Sequence, residues 1–306
     1  PLSCFDYSTV TEEMQAFLSE TLPELAARVE QKNKTVDRYQ SAMTENQFRD
    51  FKECGRYITA DENGHIIGAN FCKNRFCPVC NKRYSSAKWH YIKSIATAVN
   101  TAVAPNWALF TVTVRNCPSE QLKQTIDDLM SAINRMNSTN TWKRRVIGFF
   151  RSLETTYNSD RCDYHPHYHI LLCLPSDYYT NPEMYMSTAE WRQLWERSVR
   201  ANYTCQIDLS PINGYGDELS SAIAEVAKYA VKLSSVVEQG SDALKPLAVA
   251  LRRRRLISYG GILKDSFAAV KTADKVQAEQ NRANAKIKYM YELQNGDYKL
   301  SLVIKD

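Results

Sequence analysis

The chain has 306 residues, 44% of them hydrophobic and 24% charged, with a net charge of +5. That length permits a full core with appended modules, and the composition is that of an ordinary globular protein, which excludes a disordered chain. No apolar stretch is long enough to cross a membrane, and the mild positive charge leans toward polyanions without singling them out.

Thr11 to Gln31 and Val36 to Phe51 predict two helices, the first with Leu18, Leu22, Leu25 and Val29 at helical spacing. They make residues 1–53 a helical N-terminal segment. Residues 54–83 are irregular and cysteine-rich, and Tyr84 to Val103 is again helical, so 54–105 is expected to be one module. Trp107 to Arg115, bounded by Pro105 and Pro118, predicts a buried strand. An amphipathic helix follows over Pro118 to Met136, then strands over Arg145 to Tyr157 and Tyr164 to Leu174. Ser187 and Glu190 form a capping-box pattern at the start of a helix reaching Arg200. A strand over Thr204 to Leu209 and a helix over Leu219 to Leu233 complete an expected domain at 106–235. The last segment, 236–306, predicts helices over Asp242 to Arg254 and Ile262 to Val270. It ends in a hairpin, Ile287 to Leu293 and Tyr298 to Ile304, around Asn295-Gly296. The order reads as α+β: an antiparallel sheet with helices packed on one side, plus a cysteine module and the helical N-terminal segment.

Nine cysteines, an odd number, in a chain whose first residues lack a basic start and an apolar run, point to a reducing, cytoplasmic setting. There, clustered thiols bind metal. Cys72, Cys77 and Cys80 lie close together and Cys54 can supply a fourth thiolate, which closes a tetrahedral structural Zn2+ site; His65 is the alternative fourth ligand. Lys73, Arg75, Lys82 and Arg83 decorate the same knuckle. With Lys143 to Arg145 and Arg252 to Arg255 they form separate basic clusters, suited to phosphate contacts.

The run His165-Pro-His167-Tyr-His169 holds three of the five histidines. Strand alternation puts His167 and His169 on one face and Tyr168, Ile170, Leu172 and Leu174 on the other. Glu154 on the preceding strand is placed to join the pair. Two imidazoles and a carboxylate suit a divalent ion, Mg2+ or Mn2+, with positions open for phosphate oxygens. His165 shares that face and reads as a supporting residue. On the helix after the fourth strand, Glu225, Tyr229 and Lys232 fall on one stripe, an acid, a phenol and an ammonium suited to phosphoryl transfer.

These motifs together resemble the rolling-circle replication initiators of small bacterial plasmids, the single-tyrosine branch of the HUH endonucleases. The resemblance is carried by His167-Tyr168-His169, by EVAKYAVK from Glu225 to Lys232, and by FCKNRFCPVC from Phe71 to Cys80. Leu109 to Thr113 and Arg255 to Lys264 resemble two further signatures, so the likeness runs from about Cys54 to Lys264. It implies metal at His167, His169 and Glu154, Tyr229 as nucleophile, and Glu225 as the base of a terminating hydrolysis. The substrate it implies is the double-strand origin of a plasmid, with host helicase and polymerase as further partners. The tyrosine follows the histidine motif, whereas in conjugative relaxases it precedes it. The alternatives are a transposase or relaxase with the same chemistry, and a zinc-finger DNA-binding repressor without catalysis.

Overall fold

The structure is a computed structural model that describes residues 11–227 and 241–305. In chain order its elements are α1 (Glu12–Ala16), α2 (Leu22–Lys34), α3 (Glu45–Glu53), β1 (Tyr57–Ala60), β2 (Ile66–Ala69), α4 (Pro78–Val103), β3 (Asn106–Thr113), α5 (Ser119–Ser138) and α6 (Asn140–Arg145). Then come β4 (Gly148–Asn158), β5 (Asp163–Leu174), α7 (Thr188–Val199), β6 (Ile207–Ile212), α8 (Gly216–Ala227), α9 (Ser241–Ala250), β7 (Ile257–Gly261), α10 (Leu263–Asn284), β8 (Ile287–Gln294) and β9 (Asp297–Lys305). The chain divides into two compact units, 1–83 with 271–306, and 84–270. Among the described residues no helix is long and apolar enough to cross a membrane.

In the first unit an antiparallel sheet runs in the order β2-β1-β8-β9. Its β1–β2 hairpin falls in the stretch read as irregular. Four-residue strands among cysteines and turns carry too little alternation to register as a pattern. The predicted helix over 36–51 is in fact two pieces, a 3-10 segment at Val36–Ala42 and then α3. The break is at Thr44, whose hydroxyl accepts from the Gln47 N–H while the Gln47 side chain accepts from the Thr44 N–H.

In the second unit all strand pairs are antiparallel, in the order β6-β3-β5-β4-β7. The Ser187–Glu190 capping box forms as predicted at the start of α7. Strand β7 was not expected. Ile257 to Gly261 is short and ends in two glycines, and it pairs along β4 only because Gly260 leaves room for the Phe149 ring, which an added Cβ would meet at 2.5 Å.

Helices cover both faces of this sheet, not one. Phe110 packs on Trp191 of α7, and α5 turns Leu122, Ile126, Leu129 and Ile133 inward on the same side. On the opposite face Trp107, Phe150, Leu171 and Cys173 form one apolar cluster with Ile92, Ile95 and Val99 of α4 and Leu219, Ala222, Ile223 and Val226 of α8. Double cover explains why β5 is buried without alternation from Ile170 to Leu174. The alternating histidines occupy its other end, on the face that carries α8.

Candidate active site

Glu154 and His167 are direct cross-strand partners in the β4–β5 pair, and His169 lies two residues along on the same face. The Nε2 atoms of His167 and His169 are 3.2 Å apart, and Glu154 Oε2 is 3.1 Å from His169 Nε2 and 3.6 Å from His167 Nε2. Donors bound at about 2.1 Å to one ion are separated by about 3.0 Å at octahedral and about 3.4 Å at tetrahedral angles. The three atoms thus fit a single divalent cation.

What stands behind each ring sharpens that fit. His167 Nδ1 is 3.0 Å from the His165 carbonyl, which can only accept, so the ring proton sits on Nδ1 and Nε2 keeps its lone pair. His169 Nδ1 is 3.1 Å from Thr111 Oγ1, on the neighbouring strand β3, which can take that ring's proton likewise. Two lone pairs and a carboxylate oxygen then converge on one point, an arrangement that calls for a cation. Burial works against the Glu154 carboxylate, but hydrogen bonds and positive charge from His167 and His169, when those rings are protonated, outweigh it and hold the group well below the usual carboxylate range. Ser152 Oγ, buried in register with His169, has no hydrogen-bond partner among the described residues. The sequence does not show Thr111 as part of this site, because β3 meets β5 only through a long connection.

His165 is not among the converging ligands. Its ring lies 5.1 Å from that of His167, and burial, with the nearby His167, holds it below the ordinary imidazole value. Glu225 lies half-buried near the end of α8, next to Val226, which belongs to the apolar cluster on the histidine face. Tyr229 and Lys232 lie outside the described residues.

The second donor set is in the first unit. Cys54 Sγ is 3.6 Å from Cys80 Sγ and 3.6 Å from Cys77 Sγ, and Cys72 Sγ is 3.7 Å from Cys80 Sγ. Thiolates bound tetrahedrally at 2.3 Å are about 3.8 Å apart, so the four sulfurs fit one zinc ion and leave no open position. Hydrogen bonds from Cys72, Cys77 and Cys80 hold the Cys54 thiol far below its usual value, and the Cys72 N–H donates to the same sulfur. Behind it, the fully buried Lys32 donates to the carbonyls of Phe51, Lys52 and Cys54 at 3.0, 2.7 and 3.0 Å, closing the end of α3. His65 is not in this cluster; its Nδ1 pairs with Asp61 Oδ2 at 3.0 Å.

Two of the basic clusters are partly structural. Arg254 pairs with Asp127, and Arg145 donates to the carbonyls of Glu183 and Met184.

The model of a family of replication proteins, Rep_1, matches residues 63–299. A protein named "Protein rep" from Streptococcus pneumoniae serotype 2 strain D39 is 33% identical over 69% of this chain and 68% of its own length. Another of that name from Bacillus amyloliquefaciens is 32% identical over 72% of each. A "Replication protein" from Staphylococcus aureus is 32% identical over 56% of this chain and 77% of its own. No solved structure matches the chain.

Proposed function

This chain belongs to the Rep_1 family of replication proteins, and on that premise we propose that it starts rolling-circle replication by cutting one strand of a plasmid's double-strand origin. The observation that carries the reading is the convergence of Glu154, His167 and His169 on the sheet face that also holds α8. The last described residue of that helix, Ala227, is two positions before Tyr229. A DNA-binding repressor has no use for three such donors on one face.

Glu154, His167 and His169 hold the catalytic Mg2+ or Mn2+, which when bound polarises a phosphate oxygen and stabilises developing charge. Cys54, Cys72, Cys77 and Cys80 hold a structural Zn2+. In the first step the Tyr229 phenol gives up its proton and its oxygen bonds the scissile phosphorus. The P–O3′ bond breaks, and the departing oxygen takes a proton as a free 3′-hydroxyl. A phenol with a pKa near 10 is only about a thousandth ionised at neutral pH, a cost of about 4 kcal/mol. Lys232 lowers that cost by favouring the phenolate. The 3′-hydroxyl then primes a host polymerase, behind a host helicase, while the 5′-phosphotyrosyl link keeps the displaced strand. To end the cycle Glu225 takes a proton from water, whose oxygen bonds the phosphorus as the tyrosyl oxygen leaves.

Supercoiled plasmid carrying the cognate origin tests the reading. The wild-type protein with Mg2+ or Mn2+ is expected to convert it to the open circle. His169→Ala is expected to lose about a hundredfold or more of that activity while still binding the DNA. Full nicking by His169→Ala in the presence of a chelator would refute the metal assignment.

A further inference from the structure

Beside the histidine–carboxylate site a cavity of about 410 Å³ opens between the end of β3 and the chain leading into β6, large enough for a nucleotide-sized group. Arg115, Asn116, His165, Tyr203, Thr204 and Gln206 line it, and no carboxylate does. A second cavity, of about 580 Å³, shares Thr113, Thr204 and Gln206 with it, so the two form one trough along the β3–β6 edge. Thr113 is the cross-strand partner of His167, and Thr111 is that of His169. The trough therefore begins next to the candidate metal ligands.

Its most specific feature is a stacked pair. The Arg115 guanidinium lies 4.0 Å from the centre of the Tyr203 ring, and the Tyr203 hydroxyl accepts the Arg115 backbone N–H at 3.2 Å. The tyrosine is thus tied to the base of the arginine it carries. Arg115 is exposed and, among the described residues, has no carboxylate partner. Asp163, beside the first cavity, is taken up by Arg161 and Asn116, and Asp208, which lines the second cavity, accepts from the Ser210 hydroxyl. A guanidinium held over an aromatic ring offers a flat cationic surface on which a base stacks, while a lysine offers only a point charge.

We propose that this trough seats a nucleobase of single-stranded DNA adjoining the scissile phosphate, stacked on the Arg115–Tyr203 pair, with the Asn116, Thr204 and Gln206 side chains facing its edge. The proposal rests on the strand-cutting function above and gives that site a base-recognition pocket.

The test is anisotropy of a labelled mixed-sequence single strand of about fifteen nucleotides against an abasic strand of the same length, with the full chain in chelator. The abasic strand keeps every phosphate and lacks every base. Wild-type protein is expected to prefer the base-containing strand by about tenfold or more. Arg115→Ala and Tyr203→Leu are each expected to cut that preference severalfold, and Arg115→Lys, which keeps the charge, to do the same. Arg115 is exposed, so its variants keep the fold. An unchanged preference in Arg115→Ala and Tyr203→Leu would overturn the proposal. So would equal weakening of both strands by Arg115→Ala with recovery in Arg115→Lys, the signature of a phosphate contact. Because binding is read without metal, a wild-type protein that prefers bases but never cuts would refute the proposed function and leave the pocket standing.

Discussion

Thr111 stands behind His169 on the neighbouring strand and bears on which of that ring's nitrogens would face a metal ion. With Oγ1 3.1 Å from His169 Nδ1, it can accept that ring's proton and hold its rotation, where the His165 carbonyl fixes the tautomer of His167. Outer partners of this kind are worth about ten- to a hundredfold in metal affinity. Thr111→Val keeps the shape and removes the oxygen. Its Mn2+ affinity, read by calorimetry, should fall by at least about tenfold, with circular dichroism unchanged. An unchanged affinity would mean that the ring is held by packing alone. Lys32 offers a second test at this scale. Its ammonium satisfies three carbonyls at the end of α3 without any exposure. Lys32→Met fills the same volume and strands those carbonyls, so urea unfolding should show a loss of about 3 kcal/mol. A midpoint equal to wild type would refute the capping role. The histidine pair was legible because a strand's period of two needs no partner to be read, and Glu154 followed because β4 and β5 form a hairpin. Thr111 and Lys32 were not legible. Each reaches its partner across many residues, and neither residue type marks that role in a sequence.

At the scale of elements, the cysteine knuckle joins the end of α3 to the start of α4. Cys54 follows the last residue of α3, Cys77 precedes Pro78, and Cys80 lies in the first turn of α4. Gly55 makes the turn after Cys54 at φ +81°, where a Cβ would meet Val29 at 2.7 Å. A zinc ion there would tie these elements together, so its loss should loosen all of them. Elemental analysis should find about one zinc per chain, absent in Cys77→Ser, whose first unit should become sensitive to protease. Zinc-free wild-type protein with intact protease resistance would refute the site. The spacing of four thiols made this cluster readable, whereas its neighbours β1 and β2 were not. Strand β1 pairs with β8, which lies more than two hundred residues later, and no local pattern announces such a partner. The last hairpin was legible as a hairpin, from Asn295-Gly296, but not as half of a sheet with β1.

For the whole molecule, the two proposed metals have separate tasks in separate units. The thiolates lie in 1–83, and Glu154, His167, His169 and Glu225 lie in 84–270. In the proposed reaction the second unit links itself covalently to DNA through Tyr229, and Glu225 governs how long the link lasts. The most direct measurement uses a single-stranded oligonucleotide of the plasmid's own origin, labelled at its 3′ end and incubated with full-length protein and Mn2+. Attack by tyrosine leaves the 3′-labelled fragment joined through its 5′ end to the protein, which carries the label through a denaturing gel. Wild-type protein should show a labelled band, Tyr229→Phe should show none, and Glu225→Gln should accumulate more of it, because release by water is slowed. A labelled band from Tyr229→Phe equal to that of wild type would contradict the account.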